Sequence, residues 1–222
     1  SDGNGKHIAF ASLHIMREAC TEEPETLKKR RYIQQSFISG YEGKILEDIA
    51  GNMLYTRHIP ESYAAGKHID AARFVMIIAA FEWEFRRVYP DGIPRDEKQK
   101  QIEEKATEEI EKLIQNSTGK LKNKYKFLKR LIKSDPLQIE ISQIGKDFDE
   151  IVGIFGKSLY HMNGEQLSYS EMGQRLGDQR NHFAHGDLDK EFIGTSLLDL
   201  IYMEFILYAM QLRRYGVGKI NI

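Results

Sequence analysis

Within Gly177-Asp178-Gln179-Arg180-Asn181-His182-Phe183-Ala184-His185-Gly186, the chain crowds an arginine, an asparagine and two histidines into the last turns before a glycine. A guanidinium offers parallel N–H donors to an oxyanion, and an imidazole is the side chain suited to moving protons near neutral pH. Met172, Leu176 and Phe183 fall at helical spacing, so the segment reads as an amphipathic helix. Gly186 suits the left-handed residue that closes it. At about 100° per residue from Leu176, Arg180 lies near about 40°, Asn181 about 140°, His185 about 180° and Phe183 about 340°. Arg180 thus leans toward the apolar stripe, while Asn181 and His185 share the next face. A partly buried guanidinium is either paired within the protein or held for a substrate anion.

Other chemistry is weaker. His182 and His185 are three residues apart, a spacing that supports a metal on a helix, but no third ligand follows at a recognised spacing and Cys20 is isolated. Neither a metal nor a cofactor is expected, and there is no glycine-rich phosphate loop, nucleophile elbow or paired-cysteine pattern. Glu82 and Glu84 flank the stripe Phe74, Ile77, Ile78, Phe81, Phe85 and Val88; one of them can orient Arg180, or both are the solvated edge of a core helix. Met76 and Trp83 mark a second face of that helix, for core packing or a dimer contact. Lys122, Lys124, Lys126, Lys129 and Arg130, interleaved with Tyr125 and Phe127, form the concentrated basic stretch. They suit RNA phosphates, or they balance the glutamates at 103, 104, 108, 109 and 111 as solvated faces. Glu204 and Gln211 read as a buried hydrogen-bonded pair.

The elements that position these residues are helices throughout, with almost no alternating pattern. A first segment spans about Ile8 to Ala19. A second runs from Thr26 or Leu27 to Leu54, bent or split at Gly40 and Gly43. Asp70 to Tyr89 follows, stopped by Pro90-Asp91-Gly92-Ile93-Pro94. A charged helix after Arg95 is interrupted at Asn116-Ser117-Thr118-Gly119 and continues over Lys120 to Lys133. Leu137 to Tyr160 leads through Asn163-Gly164 to Ser168, which with Glu171 has capping-box spacing and starts the motif helix. The last helix, about Lys190 to Arg214, is apolar almost all round and should be the buried centre, through Leu197, Leu200, Ile201, Phe205, Leu207 and Leu212. The expected fold is an all-α bundle of about seven helices, without repeats.

With 222 residues and 41% hydrophobic content the chain can bury one substantial core. Its net charge of −1 gives no overall field for polyanions, so a nucleic-acid partner needs a local patch. The lone cysteine favours a reducing compartment, with the cytoplasm as the expected location. No apolar run approaches the roughly 20 residues of a membrane span. The Ser1-Asp2-Gly3-Asn4-Gly5 start is expected to be a tail, with a preceding domain possible in a longer chain.

Arg180, four intervening residues and His185, with Asn181 after the arginine and Gly186 after the histidine, resemble the motif of the HEPN superfamily. Together with Phe81-Glu82-Trp83-Glu84-Phe85, the stretch is most similar to the ApeA-type HEPN domains of bacterial anti-phage proteins. The similarity spans roughly Ser62 to Tyr215, which divides the chain into an N-terminal helical extension, 1–61, and a HEPN-like up-and-down domain, 62–222. The resemblance implies a metal-independent endoribonuclease in which two domains of a homodimer bring both motifs to one cleft. Arg180, Asn181 and His185 are then catalytic, with Glu82, Glu84 and His182 as supporting residues. Such cleavage through the RNA 2′-hydroxyl needs a base, an acid and a positive donor for the developing phosphorane charge, and a symmetric dimer supplies two motif histidines. HEPN relatives that only dimerise or dock a neighbouring domain keep a non-catalytic module open, and the lysine-rich stretch keeps open RNA binding without turnover.

Overall fold

A computed structural model describes residues 38–60, 63–66, 68–132, 134–185 and 192–217. The first expected helix, the start of the second, Cys20 and Gly186 lie outside the described residues. Among those described there is no strand, and the helices are α1 (Glu42–Ala50), one turn at Tyr63–Gly66, α2 (Ala71–Val88), α3 (Glu97–Gln115), α4 (Gly119–Leu131), α5 (Leu137–Phe148), α6 (Ile154–Met162), α7 (Tyr169–Ala184) and α8 (Ser196–Arg214). A π-helical turn, Asp149–Gly153, joins α5 to α6 without a break. Setting aside the single turn at 63–66, seven helical rods result, as the sequence implies.

Their ends follow local rules. Gly40, at φ 90°, separates α1 from what precedes it. Asp70 caps α2 by accepting from the Arg73 N–H at 2.8 Å, and Pro90 follows its end. Asp96 and Gln99 form a reciprocal capping box on α3. Ser168 caps α7 by accepting from the Glu171 N–H at 3.4 Å.

The core is the meeting of α2, α5, α7 and α8. Phe74, Ile77, Ile78 and Phe81 pack with Ile141, Ile144 and Phe148, with Met172, Leu176 and Phe183, and with Leu200, Met203, Ile206 and Met210. Two glycines let α5 and α7 approach: a Cβ at 145 would run into the Tyr169 ring, and one at 173 would lie 2.6 Å from the Gln138 Cα. Those two contacts run in opposite chain directions, so the helices are antiparallel, with Gly173 of α7 at the first turn of α5. Phe74 meets Phe183, with ring centroids 5.2 Å apart, and Glu82 meets Arg180, so α2 runs antiparallel to α7 in the same way.

α8 is central but not uniformly buried. Leu200, Leu207 and Leu212 are in the core as expected, whereas Ile201 and Phe205 are half-buried and Leu197 is 39% exposed. The buried face is instead completed by Tyr202, Met203, Ile206 and Met210. Val88 is likewise 40% exposed, being the last residue of α2. Glu204 does not pair with Gln211: it accepts two bonds of 3.1 Å from Arg73, while Gln211 donates to the Tyr55 carbonyl. Seven residues rise about 10 Å along a helix, which puts those two side chains out of reach. Met76 and Trp83 are half-covered by Tyr55 of the segment after α1, whose hydroxyl lies 3.4 Å from the Met76 sulfur.

α3 and α4 pack on each other and bury no residue in the core. This hairpin is tied at its base by Arg95, which bonds Glu103 at 2.8 Å and Asp135 at 2.6 Å.

Candidate functional site

The last turns of α7 are fixed from behind. Gln179, fully buried, accepts from the Ile193 N–H at 2.7 Å and from the Ser196 hydroxyl at 3.1 Å. Phe183 packs into the core one turn later. Between these anchors Arg180 turns toward α2, where its Nη1 meets Glu82 Oε1 at 2.7 Å. The arginine side chain is 47% exposed and the glutamate largely buried, so the guanidinium is paired on one edge and open to water on the other. Glu82 also faces Arg86, one turn on, at 3.7 Å.

Asn181 and His185 are exposed. The His185 backbone N–H donates to the carbonyls of Asn181 and His182, closing the helix. His182 is half-buried. Five residues turn the helix by about 140°, so Arg180 and His185 of one chain are presented on different sides of the helix end.

Of the two glutamates that sequence left as alternatives, Glu82 takes Arg180. Glu84 points to the other flank of α2, is buried, and binds Arg214 of α8 at 3.1 Å. Burial pushes its carboxyl up and the Arg214 charge pulls it back. Arg214 also reaches Asp48 and the Tyr215 hydroxyl, so Glu84 belongs to a network that docks α1 on the bundle.

One acidic residue at this end had no signal in the sequence. Glu140, in the first turn of α5, is half-buried. Burial and the nearby Glu82 charge push its carboxyl up to about 7, against the opposing pull of Arg86 and Arg180. Without the α5–α7 crossing, Glu140 reads as the polar edge of an amphipathic helix.

The basic stretch lies on α4 of the hairpin, whose base at Asp135 is next to this end of α5. Lys124, Lys126 and Arg130 are exposed and Lys122 is half-buried. Arg130 lies over the Phe127 ring at 5.8 Å, and Lys129 is neutralised by Glu111 of α3. The expected balancing of lysines by the glutamate-rich helix is therefore seen at Lys129. Among the described residues no ion pair engages Lys122, Lys124, Lys126 or Arg130.

A cleft of about 450 Å³ lies elsewhere, between Glu84, Tyr89, Phe148, Met210 and Arg213. At the motif end Arg180, Asn181 and His185 are exposed among the described residues. Among the described residues no group of three His, Cys, Asp or Glu side chains is placed to hold a metal ion, and no helix is long and apolar enough to cross a membrane. In comparisons with known proteins, no family model, no curated protein and no solved structure matches the chain.

Proposed function

We propose that the chain is a metal-independent endoribonuclease acting at a site composed by two copies, in anti-phage defence or a toxin-like role. One observation carries this: at the end of α7 the guanidinium of Arg180 keeps an open edge, with Asn181 and His185 exposed beside it. An open surface accepts a polymer, and an arginine held on one side by Glu82 is pre-oriented for phosphate oxygens on the other. Because Arg180 and His185 of one chain face different sides, a second motif across a two-fold axis supplies the missing proton carrier. The 2′-hydroxyl loses its proton to one imidazole, attacks the adjacent phosphorus, and the leaving 5′-oxygen takes a proton from the other, while Arg180 stabilises the charge that develops.

Replacing His185 by Ala should reduce RNA cleavage by about 10²–10⁴-fold, and Arg180→Ala should abolish it, with the helical circular dichroism spectrum retained. Products should carry a 2′,3′-cyclic phosphate, and EDTA should leave the rate unchanged.

The Glu82–Arg180 ion pair specifically favours a second reading, in which the motif is structural and the domain dimerises or docks a neighbour. Intact RNA after incubation with pure protein, together with a dimer that dissociates in His185→Ala by sedimentation, selects it.

A further inference from the structure

The ends of α2, α5 and α8 converge on the cleft of about 450 Å³. α2 supplies Arg87 and Val88, α5 supplies Asp147 and Phe148, and α8 supplies Met210 and Arg213. The lining as a whole sets three arginines against two carboxylates, and these charges are not equally available. Arg214 is committed to Glu84 at 3.1 Å and faces Asp48 at 3.6 Å. Asp147 accepts from the Tyr89 hydroxyl, and from Gln143 at 3.3 Å on both of its oxygens. Arg87 and Arg213, by contrast, donate only to backbone carbonyls, those of Met53 and Asp147. Among the described residues neither has a carboxylate within ion-pair distance. A carbonyl oxygen satisfies an N–H without cancelling the charge behind it, so both guanidiniums keep their charge for an anion.

Beside them stands an apolar wall. Phe148 and Met210 are core residues that also line the cleft, and Val88 is the exposed last residue of α2. The Arg213 guanidinium lies over the Phe148 ring at 4.8 Å. That contact and the Asp147 carbonyl hold it in place, so its remaining N–H groups are presented at a reduced entropic cost. We propose that the cleft is a binding site for a small ligand in which a phosphate is joined to a flat ring, as in a nucleoside monophosphate. Arg87 and Arg213 bond the phosphate oxygens, and the ring packs on Val88, Phe148 and Met210. A phosphate monoester carries a charge of about −1.5 to −2 at neutral pH, which matches two guanidiniums, whereas a carboxylate leaves one uncompensated. The volume lies within the range of roughly 300–1,000 Å³ usual for such pockets, which likewise combine an apolar lining with a few polar groups. This site does not depend on the reading of Arg180.

The test is calorimetric titration of the full chain with AMP, with phenyl phosphate and with inorganic phosphate. AMP and phenyl phosphate should bind, and inorganic phosphate should bind at least about tenfold more weakly because it lacks the ring. Arg87→Ala and Arg213→Ala should each weaken AMP binding by about ten- to hundredfold. Val88→Glu, a change at an exposed side chain, sets a negative charge on the wall and should abolish binding with the helical circular dichroism spectrum retained. AMP binding tighter than phenyl phosphate shows that the site reads the nucleoside, and equal affinity that it reads ring and phosphate alone. No saturable binding of either at millimolar concentration overturns the proposal, as does inorganic phosphate binding as tightly as AMP. An AMP affinity that holds in both arginine variants and in Val88→Glu but falls in Arg180→Ala places the phosphate at the motif end, and equally overturns it.

Discussion

Helix α7 carries two arginines a turn and a half apart, and they meet opposite environments. Arg175 reaches across to α8 and clamps Asp199, its Nε and Nη2 donating at 2.6 and 2.9 Å. Asp199 is fully buried and also accepts from the Tyr160 hydroxyl at 2.5 Å. Burial, then the Asp199 charge, pushes the Tyr160 phenol far up, so it stays a neutral donor. Arg180 makes a single close bond to Glu82 and leaves half its side chain in water. The same residue type on the same helix is a sealed strut in one place and an available cation in the other. What differs is the partner: a carboxylate inside the core demands full compensation, whereas one at the bundle's open end does not.

The sharpest way to break the comparison is to truncate both arginines and measure unfolding by denaturant. Arg175→Ala strands a buried carboxylate and should cost about 3–5 kcal/mol. Arg180→Ala removes a half-exposed pair and should cost less than about 1 kcal/mol, with its effect falling on RNA cleavage. Equal losses would erase the distinction.

Glu140 offers a pH-dependent version. Its folded carboxyl is raised to about 7, above an unfolded value near about 4.3. Its contribution is therefore fully present in acid and lost as pH rises to 7. The melting temperature of Glu140→Gln, relative to the original chain, should rise progressively between pH 4.5 and 7.5; a constant difference would place Glu140 in water.

The smallest expected effect concerns the hairpin. Lys124→Ala and Lys126→Ala remove exposed charges from a helix that buries nothing in the core, so stability should shift by less than about 0.5 kcal/mol. Each should lower the salt slope of RNA binding by about one unit while cleavage persists. A slope unchanged in both would detach α4 from the motif end.

Much of the fold was legible because its signals are local. The prolines after Tyr89, the Ser168 cap and the stripe from Phe74 to Phe85 act through the backbone and the helical period, which a linear chain displays. The same period put Arg180 near the apolar stripe and offered Glu82 and Glu84 as partners. It could not choose between them, since two residues on one helix differ only in which neighbour their side of the helix meets. α8 met Arg214 at Glu84's side and α7 met Arg180 at Glu82's, a matter of packing alone.

Asp199 and Glu140 mark the same boundary from the other side. In sequence, Asp199 is the polar blemish on an apolar helix and Glu140 one charge among many. Each becomes significant through a residue far off in the chain, Arg175 bonding the first and the Glu82 charge acting on the second. The chain's own pattern indicated about seven helices, the Ser168 cap on one of them and the arginine, asparagine and histidine gathered at that helix's end. Only the packing of the helices, made possible where Gly145 and Gly173 admit a neighbouring helix, decided which carboxylate pairs with that arginine, because burial and charge depend on distances the sequence does not contain.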